Sequence, residues 1–169
     1  MIAIGRQTDY AARIVLHLAS LEEGARVTAQ EIAASRLIPP AFIRRIVSRL
    51  SAAGILITVR GNKGGVTLAR PPSLVSLREV IEAMEGPIAM NSCLTQAGAC
   101  PLAELCPVQS SWAGATRHLS QYLDEVRFDA LAASIRSQRG GEKHGPTRNT
   151  RMPAGKIASA RSGKDQKIL

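Results

Sequence analysis

The sequence predicts a mainly α-helical protein with a small β-hairpin: a winged helix-turn-helix followed by a long C-terminal dimerisation helix. Two observations predict this fold class. Three amphipathic helical segments come first, and two short β-like runs joined by a glycine-rich loop follow them, which is the element order of a winged helix-turn-helix. Further along, apolar residues recur at heptad spacing, which is typical of helices that pair between subunits.

The first two helices are indicated by apolar periodicity and by a capping box. Residues 8–21 place their apolar side chains on one helical face, and Gly24 is a suitable stop. Thr28 and Glu31 then match the S/T-x-x-E pattern of a capping box, in which the two residues satisfy each other's backbone N–H groups. We therefore expect a second, short helix that reaches about Arg36.

The third helix, predicted over 41–53, has the character of a DNA recognition helix. Its apolar residues lie on one face, and the opposite face carries three arginines and no acidic residue. Arginine binds guanine edges bidentately and also binds phosphate, whereas a merely solvated face would be expected to carry mixed charges. We expect contacts with double-stranded DNA from the outward-facing residues Arg44, Arg45, Ser48 and Arg49.

The two β-like runs, 55–60 and 66–69, predict a hairpin that would serve as the wing. Its loop combines glycines, which allow close backbone approach to a groove or a phosphate, with two cations. An ordinary hairpin loop is the alternative, and the spacing of a Walker loop is absent. The predicted DNA-binding set is completed by Arg60, Asn62 and Lys63 in the wing and by Thr28 at the start of the second helix.

A fourth helix and a long last helix complete the predicted elements. Ser76 and Glu79 form a second capping box, and the helix that they open is closed by Gly86. The last helix is predicted over 110–135. It has a short heptad seam, which suits a helix that pairs with its copy in a dimer while it packs on the rest of the protein. The seam consists of Trp112, Ala115, Leu119, Tyr122 and Val126.

All three cysteines of the chain, Cys93, Cys100 and Cys106, lie in the segment 91–109. Thiolates are the ligands preferred by zinc, copper(I) and iron–sulfur clusters, and an odd number of clustered cysteines argues against a disulfide framework. Zinc with His118 as a fourth ligand is one alternative, although the usual C-x(2–4)-C pairs are absent. A thiol switch or buried structural thiols are others, and a thiol enzyme lacks a supporting base. An iron–sulfur cluster is the favoured interpretation.

The charge and composition set the remaining expectations. The formal net charge is +9, but residues 136–169 carry nine basic and two acidic residues, so most of the excess belongs to this tail. We expect a disordered basic tail, a cytoplasmic protein without a membrane span, and no enzymatic activity. The predicted organisation is a DNA-binding domain over 1–90, a cluster-binding cysteine loop over 91–109, a dimerisation helix over 110–135 and the tail over 136–169.

From residue 1 to about 135 the chain resembles the iron–sulfur winged-helix transcriptional regulators typified by IscR, NsrR and RirA. The matching segments are 8–13, 48–54, 59–65, 68–71, 79–86 and the cysteine loop. The resemblance implies a homodimer that binds a near-palindromic DNA operator, with the last helix crossing the dimer. It also implies that Arg44 and Arg45 lie in the major groove and that Arg60 enters the minor groove.

The resemblance further implies that Cys93, Cys100 and Cys106 hold an iron–sulfur cluster. IscR-like members have a histidine three residues after the last cysteine, where this chain has Gln109. NsrR-like members complete a 4Fe–4S cluster with an aspartate from the first helix of the other subunit, and Asp9 matches it. A first-turn acid that favours the helix dipole is the other interpretation of Asp9. We expect a 4Fe–4S cluster, with 2Fe–2S as the alternative, in a repressor that senses nitric oxide, iron or redox state; a thiol switch or zinc site is the competing hypothesis.

Overall fold

The computed structural model describes residues 4–61, 64–96, 99–102 and 105–141, and it shows the predicted winged helix-turn-helix. The remaining residues, among them Asn62, Lys63 and the predicted tail from 142 onward, lie outside the described part. In chain order the elements are α1 (Arg6–Ala19), α2 (Ala29–Ser35), α3 (Pro40–Ala52), β1 (Leu56–Val59), β2 (Gly65–Leu68), α4 (Leu77–Glu85), α5 (Pro107–Glu125) and α6 (Phe128–Gly141).

The core forms where the apolar faces of α1, α3, α4 and α6 meet. The largest fully buried side chains include Ile14 of α1, Ile46 and Leu50 of α3, and Phe128 of α6. Both predicted capping boxes are present, at Thr28 and at Ser76, and each fixes the first turn of its helix. In the first box, the hydrogen bonds from the Thr28 backbone and side chain lower the pKa of Glu31.

The two strands pair antiparallel, with Leu56 opposite Leu68 and Val59 opposite Gly65. Strand β2 is also tied to the segment before α2, because Val66 and Val27 exchange two backbone hydrogen bonds of 2.8 and 3.2 Å. The hairpin is therefore anchored close to its loop, beside the pair Val59 and Gly65, to the segment that precedes α2.

The prediction of one continuous helix over 110–135 is wrong, because the chain bends at Val126 and forms two helices. Val126 has φ −77° and ψ 99°, its carbonyl accepts from the Leu77 N–H at 2.9 Å, and Phe128 N–H donates to the Val75 carbonyl at 3.1 Å. These bonds hold the bend against the start of α4. The bend lets Phe128, 1% exposed, and Ala132 enter the core beside α1. Helix α6 continues to Gly141, so the prediction of a disordered tail over 136–169 is wrong for residues 136–141.

No helix in the described part of the chain is long and apolar enough to cross a membrane.

The turn between α2 and α3 contains a strained residue. Leu37 has φ 53°, in the left-handed region that L residues other than glycine, asparagine and aspartate rarely adopt, and its side chain is 83% exposed. The conformation costs roughly 1–2 kcal/mol for such a residue. Little apolar burial offsets that cost.

We expect Leu37→Asn to raise the free energy of unfolding by about 1 kcal/mol, because asparagine tolerates the left-handed conformation and little burial is lost. Urea unfolding at one fixed protein concentration measures the change. Leu74→Asn, at another exposed leucine with ordinary backbone angles, is the matched control and should give no gain. A Leu37→Asn protein less stable than the unmodified chain would contradict the strain argument.

Candidate nucleic-acid interface and cysteine loop

A groove of about 500 Å³ runs between the start of α2, the exposed face of α3 and the hairpin. It brings together three residues that the sequence predicts for DNA contact, Thr28, Arg44 and Ser48, with the wing glycines Gly61 and Gly64. The groove exists because the apolar face of α3 is buried and the polar face is left beside the hairpin. Thr28, Arg44 and Ser48 thus share one surface with the wing, the arrangement with which a winged helix-turn-helix contacts DNA.

Arg45 lies on the other side of α3 from this groove. It lines a second hollow, of about 460 Å³, together with Phe42 and the residues at the start of α1. Both Arg44 and Arg45 are exposed. Recognition helix α3 therefore presents cations towards both of its flanks.

Arg49 has a partner inside the protein. Its Nη1 donates to the Met84 carbonyl oxygen at 2.7 Å, so the guanidinium caps the C-terminal turn of α4. Cations at this end of a helix satisfy free carbonyl groups and the helix dipole. The predicted DNA contact of Arg49 stays a prediction, and the structure adds a contact that joins α3 to α4.

The hydroxyl of Thr28 is also engaged within the chain. It accepts from the Glu31 N–H at 3.2 Å and lies 2.8 Å from Glu31 Oε2, to which it donates. A DNA phosphate would have to compete with this carboxylate for the hydroxyl hydrogen. Thr28 therefore shapes the start of α2 whatever its role towards DNA, which stays a prediction.

The turn of the wing depends on two glycines. Gly61 has φ 108°, and a Cβ on Gly64 would lie 2.3 Å from the Val59 carbonyl oxygen. Arg60 is exposed at the end of β1, where the strand leaves the sheet. The predicted partners Asn62 and Lys63 lie between these glycines, outside the described residues.

Two residues that line the groove and the second hollow, Ser51 and Glu85, were not predicted from the sequence. Ser51 lines the first groove, and its Oγ is buried with no hydrogen-bond partner in the described part of the chain. Its spacing of three from Ser48 on a helix is the signal that could have identified it. Glu85 accepts from the Gly5 N–H at 2.8 Å and from the Thr8 hydroxyl, and no local pattern indicates these contacts across the fold.

Asp9 lies on α1 where that helix faces α5. Its carboxylate pairs with Arg13 at 2.6 Å and is about half exposed. It also lines a groove of about 1110 Å³ between α1, α4 and α5, which includes Leu119 and Leu123. The carboxylate is therefore accessible from the side of α5.

The three cysteines are free thiols and are partly exposed. Cys93 lies in a short 3-10 turn over Ser92–Leu94, and Cys106 is the residue before α5. In the described ranges, no three Cys, His, Asp or Glu side chains come together as a set that could hold a metal ion. Thiolates are suitable ligands for an iron–sulfur cluster. In this conformation of the loop, however, the three thiols do not lie together as a metal site.

His118, the alternative zinc ligand, and His17 of α1 each have a contact within the chain. His118 Nδ1 lies 2.9 Å from the Gly114 carbonyl oxygen within α5. The Nδ1 atom of His17 accepts from Arg36 Nε at 3.0 Å, and burial, followed by the charge of Arg36, lowers the pKa of His17. A neutral His17 is consistent with its acceptor role between α1 and α2.

Together, the recognition helix, the wing and their shared groove define a winged-helix DNA-binding protein. Residues 4–134 match the family described as Rrf2, iron-dependent transcriptional regulator, and the chain belongs to this Rrf2 family of transcriptional regulators. The resemblance seen in the sequence motifs is thereby confirmed.

Individual relatives agree with the family. Protein aau3 of Rhizobium meliloti is 33% identical over 129 residues, which cover 75% of this chain and 82% of the relative. Among solved structures, CymR, the global cysteine regulator of B. subtilis, gives a TM-score of 0.64 at 23% identity, covering 79% of this chain and 98% of CymR. IscR of T. potens gives 0.64 at 19% identity, covering 85% and 94%. The two structures show that the fold is shared.

We expect Arg49→Gln to lower the free energy of unfolding by about 1–2 kcal/mol, since the charged hydrogen bond to the Met84 carbonyl is lost and the site is partly exposed. Arg45→Gln, on the same helix and with no ion pair in the described residues, should stay within about 0.5 kcal/mol. Urea unfolding of both variants measures the two changes in the free energy of unfolding. Equal stability of the two proteins would show that the Arg49 contact contributes nothing.

Proposed function

We propose that this chain is a homodimeric transcriptional repressor whose operator binding depends on an iron–sulfur cluster held by the cysteine loop. The observation that carries the DNA-binding part is the shared groove, which sets Arg44 and Ser48 of α3 beside the wing. The family assignment makes DNA binding the expected activity of this surface. The cluster and the repressor role are inferences from the thiols and their place in the chain.

In this proposal, α3 enters the major groove of operator DNA and the wing contacts the adjacent minor groove. Arg44, Arg45 and Ser48 would contact base edges and phosphates, with Arg60, Asn62 and Lys63 reaching the minor groove or backbone. Arg49 would hold α3 against α4 while it contributes positive charge near the DNA. The helix would then dock with its orientation already fixed.

Dimer formation is supported by the exposed face of α5. None of the residues of this helix is buried, although it carries Trp112 and Tyr122, the latter 65% exposed. The adjacent groove adds Leu119 and Leu123 to the uncovered apolar surface. A second copy of α5 would cover this surface and place two recognition helices about 34 Å apart, one turn of DNA.

Cys93, Cys100 and Cys106 would hold the cluster, and Asp9 of the second subunit is the proposed fourth ligand. Such a cluster, with one ligand that is not a thiolate, supplies iron that is open to nitric oxide or oxygen and that is lost under iron shortage. Asp9 lies beside α5, which is where a dimer partner would approach. Releasing Asp9 from Arg13 is the step that this ligand role requires.

The coupling to DNA would run through the ends of the cysteine loop. The predicted loop, 91–109, starts shortly after α4 and includes the first turn of α5, so bringing the three thiols together would fix α5 relative to α4. The C-terminal turn of α4 contacts α3 through Arg49. A loop whose three thiols hold the cluster and a bound operator would therefore favour the same arrangement of the dimer.

A thiol switch is the second candidate, and the accessibility of the thiols supports it. The three thiols are free and partly exposed, as reactive cysteines must be. CymR of Staphylococcus aureus, which is 24% identical to this chain with a TM-score of 0.60, has been solved in a form described as oxidised. In this alternative a disulfide between two loop cysteines would change the position of α5. A zinc site that uses the same cysteines is the third hypothesis.

We expect Cys93→Ala to lower affinity for the selected operator at least about tenfold while leaving weak, salt-sensitive binding to random DNA largely unchanged. Electrophoretic or fluorescence titrations of anaerobically purified protein measure both. Arg44→Ala is the matched comparison: it should lose operator affinity and keep any iron–sulfur absorbance. If Cys93→Ala binds the operator like the unmodified protein, the cluster mechanism is wrong.

A further inference from the structure

A cavity of about 500 Å³ lies on the opposite side of the hairpin from the recognition groove. It is enclosed by the end of α1, the loop between α1 and α2, strand β2 with the residues after it, and one face of α6. Its volume falls in the range of small-molecule sites, about 300–1,000 Å³. Neither the DNA interface nor the cysteine loop includes these residues.

The cavity wall carries charges of both signs that do not pair. Arg26 and Arg136 line it, as do Glu22, Glu23 and Asp129. In the described part of the chain none of these five residues forms a salt bridge. Cations and carboxylates that surround one cavity without neutralising each other suit a ligand that bears both charges.

Arg70 adds a donor whose position is fixed. Its Nη2 pairs with Glu79, whose other carboxylate oxygen accepts from the Ser76 N–H at 2.9 Å. The Nε atom of the same guanidinium is buried and has no hydrogen-bond partner among the described residues. Because Nε is buried, a ligand carboxylate would approach the guanidinium through the third of the Arg70 side chain that is exposed at the cavity wall.

Part of the remaining wall is apolar. Leu18 and Ala19 of α1 are buried, and Leu21 and Leu68 are partly buried beside them. A zwitterionic head group and a short hydrocarbon side chain would therefore both find complementary surface. We propose that this cavity binds an α-amino acid with a small aliphatic side chain.

The position of the cavity gives the ligand a route to the wing. One wall is β2, whose Val66 is bonded to Val27, the residue that follows Arg26 of the cavity, and another wall is α6. An occupied cavity would brace the hairpin against α1 and α6 and so pre-organise the wing for DNA. This consequence rests on the proposed function and predicts that the amino acid raises operator affinity.

The site itself is tested without DNA, by calorimetric titration of the full chain with L-alanine, L-valine, L-leucine and L-isoleucine up to about 10 mM. We expect saturable binding of at least one of them. Two analogues of the best ligand, its amide and its deaminated acid, should bind at least about tenfold more weakly, because each lacks one charge. Absence of saturable binding for all four amino acids would overturn the proposal.

Variants locate the binding. Arg136→Gln and Glu23→Gln, both at exposed positions, should each weaken it about tenfold, whereas Arg117→Gln on α5, outside the cavity, should not. Unchanged affinity in both cavity variants would place the ligand elsewhere and overturn the assignment. An operator titration with and without the amino acid then tests the coupling alone, so binding without a change in operator affinity would refute only the regulatory step.

Discussion

The C-terminal turn of α4 is the point on which the arrangement of the other segments depends. Arg49 of α3 donates to the Met84 carbonyl, and Glu85 accepts from the start of α1 through Gly5 and Thr8. The chain then leaves this turn towards the cysteine loop. The recognition helix, the first helix and the candidate sensor are thus joined within a few residues, which explains how a change in the loop could reach the DNA surface.

Much of the fold could be predicted because local patterns specify it. The capping boxes at Thr28 and Ser76 and the apolar stripes of the first four helices are short-range signals, and the glycine-rich hairpin is another. The bend at Val126 was missed because heptad spacing continues up to that residue. What ends α5 is the burial of Phe128 against α1 and the backbone bonds to Val75 and Leu77, which are contacts from distant parts of the chain.

The site was predictable in its residue types and less so in its contacts. Helical periodicity places Arg44, Arg45 and Arg49 on the same outward face, but a long side chain can reach a neighbouring helix, as Arg49 does. For the cysteines, spacing indicates a set of donors and says nothing about whether the loop gathers them. The cavity behind the hairpin was not predicted at all, since its residues come from three separate segments, 18–26, 67–72 and α6, with no shared motif.

The proposed mechanism depends most on what the cysteine loop holds, and native mass spectrometry of protein purified without oxygen measures this directly. We expect a dimer that carries one 4Fe–4S cluster per chain and loses it when Cys93, Cys100 or Cys106 is replaced by alanine. A 2Fe–2S mass would retain the sensor and remove the argument for Asp9 as a ligand. A zinc mass, or metal-free chains that form a disulfide in air, would contradict the cluster and establish one of the alternatives.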